Sequence, residues 1–150
     1  MRLTQYTDYS LRLLLYVALL PDGQKATIQE VADAYTISKN HLMKVTHHLG
    51  QLGYIETTRG RAGGISLKRA PETINVGTVV RETEDDFHLV ECFGPNNTCV
   101  ISPACRLKHV LNDALQSYLA VLDQYTLADL LTDADEVDLM QRLLHIRDDQ

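Results

Sequence analysis

No apolar run in this sequence is long enough to cross a membrane. The longest, Leu13 to Leu20, has eight residues, where a spanning helix needs about 20. It ends in Pro21-Asp22-Gly23 with no small-residue cleavage site, and the stretch before it, with Asp8 and Arg12, is not simply basic, so it does not read as a secretory leader. Repeats and low-complexity tracts are absent. Proline is sparse: Pro21, Pro71, Pro95 and Pro103 fall where loops or helix starts are expected. Cysteine is scarce and odd in number, Cys92, Cys99 and Cys105 within fourteen residues. That is a poor disulfide framework and points to a cytoplasmic chain using thiols for metal, cluster or redox chemistry. Positive charge is short as well: 14 Lys and Arg against 20 Asp and Glu give −6, which taken alone argues against a nucleic-acid partner.

What is present reverses that last exclusion. Up to position 75 there are nine basic and six acidic residues and after it five and fourteen, so a front half at +3 precedes a back half at −9. The length of 150 residues and 45% hydrophobic content suit one domain or two small ones with packed cores.

The pattern predicts a mainly α fold. Thr4 to Leu20 reads as a buried helix. Thr27-Ile28-Gln29-Glu30 is a capping box opening a short helix to about Ala34. Ser38 suits the cap of a second helix whose Leu42, Val45, Leu49 and Leu52 recur at steps of three and four, with Gly53 placed to end it. Tyr54 to Thr58 and Ile65 to Lys68 alternate as strands about the loop 59–64. Helices and hairpin together make a winged helix-turn-helix with a two-stranded wing, over residues 1–75. Asn75 caps a connecting helix from Val76 to about Glu84, and residues 76–102 hold it and the cysteine segment.

Residues 103–150 are expected to hold a long dimerisation helix and two short amphipathic helices, Thr126 to Leu131 and Ala134 to Arg147. Ser102 suits the long helix's cap and Pro103 its first position, and a run to about Tyr125 would cover ~30 Å. Leu107, Leu111, Ala114, Tyr118, Val121 and Tyr125 keep the 4-3 spacing of a coiled-coil seam, beside a second stripe of Leu115, Leu119 and Leu122. One stripe can pack at home and the other on a twin; the competing reading is a monomeric bundle.

On the Ser38 helix the face opposite the apolar stripe carries Asn40, Lys44 and His47, with Lys39 and His41 near the N-terminus. Asn has the bidentate geometry for adenine, and Lys and His suit guanine acceptors or phosphates. A merely solvated face is the alternative. It is weakened by Arg59 and Arg61 flanking Gly60 at the loop tip, suited to phosphates or a narrow minor groove. A phosphate-cradle reading of that loop fails, because Gly63-Gly64 leads into a strand rather than a helix.

The spacing Cys92-x6-Cys99-x5-Cys105 sits among turn residues that let three thiolates converge, with Cys105 expected in the first turn of the long helix, where the dipole favours thiolate. Zinc and an iron-sulfur cluster both suit such ligands, and His88 or His109 can complete a zinc site. The absence of a tight Cys-x2-Cys knuckle favours the cluster. An enzyme using Cys105 with His109 lacks an orienting third group, so no enzymatic role is expected.

Leu3-Thr4, Tyr6-Thr7-Asp8-Tyr9, Ser38-Lys39-Asn40-His41, Arg59-Gly60, Gly63-Gly64-Ile65, Val79-Val80-Arg81-Glu82, Pro103 to Lys108 and Tyr125 to Leu130 resemble the IscR-like family of iron-sulfur winged-helix repressors, over most of the chain. The resemblance is nearest to the family's nitric-oxide-sensitive members. It implies Cys92, Cys99 and Cys105 as ligands of a 4Fe-4S cluster, with 2Fe-2S as the alternative, in a homodimer that represses nitric-oxide detoxification genes by binding operator DNA. Asp8, from either subunit, is the candidate fourth ligand, with His109 and His88 as competitors and an Asp8–Arg12 helix pair as the plain alternative.

Overall fold

The computed structural model describes residues 1–146. The chain opens with α1 (Gln5–Ala18), whose N-cap Thr4 hydroxyl accepts from the Thr7 N–H at 3.3 Å. Leu13, Leu14, Tyr16 and Val17 are buried along it, which makes it the central helix expected. In α2 (Ile28–Tyr35) both arms of the capping box form: Thr27 accepts from the Glu30 N–H at 3.1 Å and Glu30 accepts from the Thr27 N–H at 2.7 Å. Thr36 takes the left-handed conformation that closes this helix, and the Ile37 N–H reaches back to the Ala32 carbonyl at 2.9 Å. The tight turn delivers the chain to α3 (Lys39–Gln51). Ser38 is its N-cap by position, but its side chain makes no capping bond.

The wing is β1 (Ile55–Thr58) antiparallel to β2 (Gly64–Leu67), in a register running from Ile55 opposite Leu67 to Thr58 opposite Gly64. Ala26 and Ile65 exchange backbone hydrogen bonds of 2.7 and 3.1 Å, fastening the wing to the chain ahead of α2. Gly64 is required for that approach, since a Cβ there would stand 2.9 Å from the Ala26 carbonyl oxygen. Next comes α4 (Val76–Thr83), with Asn75 capping at 3.0 Å as expected. Residues 84–105 hold only 3-10 turns, Glu91–Phe93 and Ser102–Ala104, before α5 (Arg106–Leu122), a turn at Ala128–Leu131 and α6 (Ala134–Leu143).

The back half corrects several expectations. Ser102 and Pro103 do not open the long helix. They form a separate 3-10 turn closed by its own Ala104 N–H to Ile101 carbonyl bond of 2.9 Å, after which Cys105 is extended. A helix must then nucleate afresh, so Cys105 is the N-cap of α5 rather than part of its first turn. The 17 residues of α5 span about 25 Å, not ~30 Å, and stop before Tyr125. The short helix expected over Thr126 to Leu131 is a 3-10 turn at Ala128–Leu131 alone, pinned by Asp129 accepting the Thr126 N–H at 2.7 Å. The last helix ends at Leu143, and the expected end at Arg147 lies outside the described residues.

Two apolar clusters hold the elements together. The larger joins α1, α2, α3 and the wing with Ile74, Val79 and Leu127, and Leu144 and Ile146 pack on it from the far end of the chain. The smaller is built on Val80, Leu115 and Leu119 with Leu3, Phe87, Leu89 and Phe93 around them. α4 contributes to both through adjacent valines. No helix among the described residues is long and apolar enough to cross a membrane.

Candidate nucleic-acid interface and cysteine segment

α3 buries Leu42, Val45, Thr46 and Leu49. The helical period then forces the remaining positions outward, and Ser38, Lys39, Asn40, His41, Lys44 and His47 are all exposed, as expected. Two aromatic contacts set α3 against α1: Tyr9 with His41 at 6.1 Å between ring centroids, and Tyr6 with His48 at 5.7 Å. Met43, which sequence reasoning passed over, is 50% exposed among these polar side chains. An apolar residue off the buried stripe was the signal for it.

Arg59 and Arg61 are exposed on either side of Gly60, whose φ of +100° turns the wing tip. Lys25, also passed over, donates to the Thr58 hydroxyl at 2.9 Å and adds a cation at the tip end of β1. Arg69 is a further omission. It donates to the carbonyls of Leu52 at 2.9 Å and Gly53 at 3.0 Å, and its guanidinium lies 4.1 Å from the Tyr54 ring centroid. It thus satisfies the end of α3 and opposes its dipole. The two ends of this contact are 17 positions apart, so local patterning had no means of revealing it. The buried Tyr54 donates its hydroxyl to the Glu82 carboxylate. Burial first, and the Glu82 carboxylate second, push that phenol far above its ordinary pKa.

In the cysteine segment Cys92 and Cys105 are half-buried, Cys99 is exposed and all three are free thiols. The loop is organised by polar side chains: Glu91 accepts from the Thr98 hydroxyl at 2.6 Å and its N–H at 2.7 Å, and Asn97 links the Cys99 N–H to the Ser102 hydroxyl. The Thr98 hydroxyl and N–H hold the Glu91 carboxyl below its ordinary pKa. The expected convergence of thiols is not found within one chain. Among the described residues no three Cys, His, Asp or Glu side chains stand together so as to hold a metal. Instead Cys92 lines a cavity of about 440 Å³ with His88 and His109, while Cys99 and Cys105 do not line it.

Asp8 takes the plain form weighed for it. Its oxygens accept from Arg12 Nε at 3.0 Å and Nη2 at 2.8 Å, both side chains partly exposed. Arg12 also lies 5.9 and 5.8 Å from the ring centroids of Tyr9 and Tyr35. Tested against an iron-sulfur cluster, the donors fit in kind: three soft thiols, none in a disulfide and none buried, on a segment with little regular structure to reshape. Among the described residues no fourth donor joins them in a ready-made group.

The two stripes of α5 part as their spacing suggested. Leu115 and Leu119 are buried in the smaller cluster with Leu122 packed beside them. On the seam, Leu107 is 61% and Val121 53% exposed, with Tyr125 and Ala114 exposed and Leu111 and Tyr118 half-buried. Leu107, Ala114 and Val121 thus form an exposed apolar row along α5, with Tyr125 exposed just past its end.

A family described as Rrf2, iron-dependent transcriptional regulator, matches residues 3–133. The HTH-type transcriptional regulator NsrR of Bacillus subtilis is 61% identical over 138 residues, 91% of this chain and 94% of that protein. The protein of the same description from Halalkalibacterium halodurans is 58% identical over 144 residues, 95% and 99% of the two chains. Among solved structures, T. potens IscR aligns with a TM-score of 0.73 at 24% identity, covering 91% of this chain and 90% of that one. Oxidised Staphylococcus aureus CymR aligns with a TM-score of 0.71 at 22% identity, covering 89% and 98%. These two likenesses are ones of fold.

Proposed function

The chain belongs to the Rrf2 family of transcriptional regulators and to its NsrR branch, and on that premise we propose that it is a cytoplasmic DNA-binding repressor, not an enzyme, that acts as a homodimer and carries an iron-sulfur cluster sensitive to nitric oxide. The observation that carries the reading is the pairing on one fold of an exposed polar α3 face with three free, unburied thiols. Lys39, Asn40, His41, Lys44 and His47 meet the major groove and Ser38 the backbone at the helix N-terminus. Arg59 and Arg61 meet flanking phosphates or the minor groove. The exposed seam of α5 joins two copies, so that two α3 helices reach successive major grooves about 34–36 Å apart.

Cys92, Cys99 and Cys105 would hold the cluster, 4Fe-4S or alternatively 2Fe-2S, with Asp8 from a second copy as fourth donor. When bound, such a cluster supplies irons that react with nitric oxide. The chain's own contribution is mechanical. Segment 84–105 runs from the end of α4 to the cap of α5, so its shape sets how these helices stand to each other. Asp8 drawn away from Arg12 alters the turn of α1 that places Tyr9 against His41. A coupling of typical allosteric size changes operator affinity about 5- to 150-fold.

A second reading, a zinc-dependent regulator, is favoured by the cavity that Cys92 shares with His88 and His109. Anaerobic purification separates the two, since a cluster protein is coloured and a zinc protein is not. Operator DNA selected by the protein from a random pool is then titrated with loaded protein, cluster-free protein and loaded protein exposed to nitric oxide. Loss of affinity in the last two is expected, and equal affinity in all three refutes the sensing half of the proposal.

A further inference from the structure

α4 is short, yet side chains on it and just after it reach three different parts of the molecule. Arg81 pairs with Asp123 at the end of α5, its Nη2 standing 2.9 Å from Oδ2. Glu84 accepts from the Thr4 N–H at 2.7 Å and the Thr4 hydroxyl at 2.6 Å, at the start of α1. Glu82 accepts from the Tyr54 hydroxyl, at the junction of α3 and the wing. Val79 and Val80 seat the same helix in the two apolar clusters. The cysteine segment begins where α4 ends.

The Tyr54 contact differs from the others in where it leads. Tyr54 is 1% exposed, and its N–H donates to the Leu49 carbonyl of α3 at 3.0 Å. Its ring lies under Arg69, whose two hydrogen bonds close the end of α3. A displacement of Glu82 therefore reaches the end of the DNA-facing helix through one hydroxyl and one stacked guanidinium. Arg81 and Glu84 tie α4 to elements that carry no expected DNA contact.

We propose that Glu82 and Tyr54 are positioning residues that couple the state of the cysteine segment to the orientation of α3 and the wing, with α4 as the strut between them. The proposal rests on the sensing reading above. Its content is that this hydrogen bond, rather than general packing of the two clusters, transmits the change. Tyr54→Phe removes only the hydroxyl. Glu82→Ala removes the acceptor at an exposed position, and Glu82→Gln keeps an acceptor oxygen.

The test is the ratio of operator affinities of cluster-loaded and cluster-free protein, measured for wild type and each variant. In Tyr54→Phe and Glu82→Ala the ratio is expected to fall about tenfold, or to one where wild type has less to lose, as for loss of a hydrogen bond to a charged acceptor. Both changes together are expected to do no more than either alone, and Glu82→Gln to keep most of the ratio. Amide exchange at Gly53 and Tyr54, compared between loaded and cluster-free wild type, gives a readout independent of DNA; a difference is expected there and its loss in Tyr54→Phe. A variant that weakens both states equally and keeps the ratio has shown a structural role, and the coupling proposal is overturned. A wild-type ratio of one overturns the sensing reading itself, before any variant is made.

Discussion

Gly77→Ala and Gly50→Ala are the same chemical change on two helices, and the structure gives them opposite signs. In an unconstrained helix the added methyl stabilises by about 0.4–1 kcal/mol, mainly by restricting the unfolded chain. At Gly50 in α3 a built Cβ meets nothing within 4 Å, so the full gain is expected. Gly77 is buried at the second position of α4, and its Cβ would overlap the Asp123 carboxylate and stand 2.9 Å from the Asp123 backbone nitrogen. The carboxylate can rotate away, but the backbone cannot follow cheaply. The Asp123 N–H is bonded to the Leu119 carbonyl at 2.9 Å, and the Asp123 carbonyl accepts from Asn75 Nδ2 at 2.8 Å. Overpacking of this kind costs about 1–3 kcal/mol and outweighs the gain, leaving a net loss of about 1–2 kcal/mol. For a chain of this size that lowers Tm by roughly 2–8 °C, read by circular dichroism on the cluster-free protein. Adding Asp123→Ala relieves the side-chain overlap alone, so part of the loss should remain. A Gly77→Ala protein as stable as wild type, or more so, would refute the packing argument.

At the DNA interface, Asn40→Ala should weaken operator binding by about 1–3 kcal/mol and relax selectivity at one base pair, as for loss of a bidentate base contact. Arg59→Ala should instead weaken all sequences alike and reduce the slope of log affinity against log salt by about one. Fluorescence anisotropy over a salt series distinguishes these outcomes, and the same slope change for both variants would contradict the assignment. Val121→Glu places a charge on the exposed seam of α5, and sedimentation should show dimers dissociating while the helical signal is kept; a dimer unaffected by it removes the seam from the interface. Because the Thr98 hydroxyl and N–H hold the Glu91 carboxyl below its ordinary pKa, its contribution is present above the usual carboxylate range and lost as pH falls through the depressed value. The Thr98 amide resonance should therefore stay still from neutral pH into mild alkali and move only in acid, and movement above neutrality would contradict this.

Legibility differed by the kind of physics involved. α1, the capping box, the Leu42-Val45-Leu49 stripe, the hairpin and the Asn75 cap are local patterns, each settled by residues within a turn or two of one another. So was the exposure of Ser38 and of Lys39, Asn40, His41, Lys44 and His47, because burying one stripe of α3 exposes its complement, while Arg59 and Arg61 are exposed by the hairpin tip that carries them. Patterning misread the start of α5: Ser102 and Pro103 suit an α-helical N-terminus, but they suit a self-closed 3-10 turn equally, and an extended Cys105 chose between them. Arg69 at the end of α3 and Glu82 at the Tyr54 hydroxyl were invisible for a different reason. Their partners are distant in the chain, and nothing in composition marks an arginine or glutamate as spoken for.

The charge deficit belongs to the same distinction. Position along the chain was enough to separate a basic winged-helix half from an acidic one and to place three thiols after α4. The two stripes of α5 were equally plain as spacing, since helical period alone makes them neighbours. Which stripe was free, however, depended on where the second apolar cluster formed: Leu115 and Leu119 went inward against Val80, and Leu107 and Val121 were left to solvent. The separate placement of the three thiols likewise followed from packing, whereas the pairing of Asp8 with Arg12 is an i, i+4 contact that helix spacing already offered. Sequence periodicity determines which side chains share a face, whereas the burial of one face and the partners of Arg69 and Glu82 depend on surfaces brought together only when the chain folds.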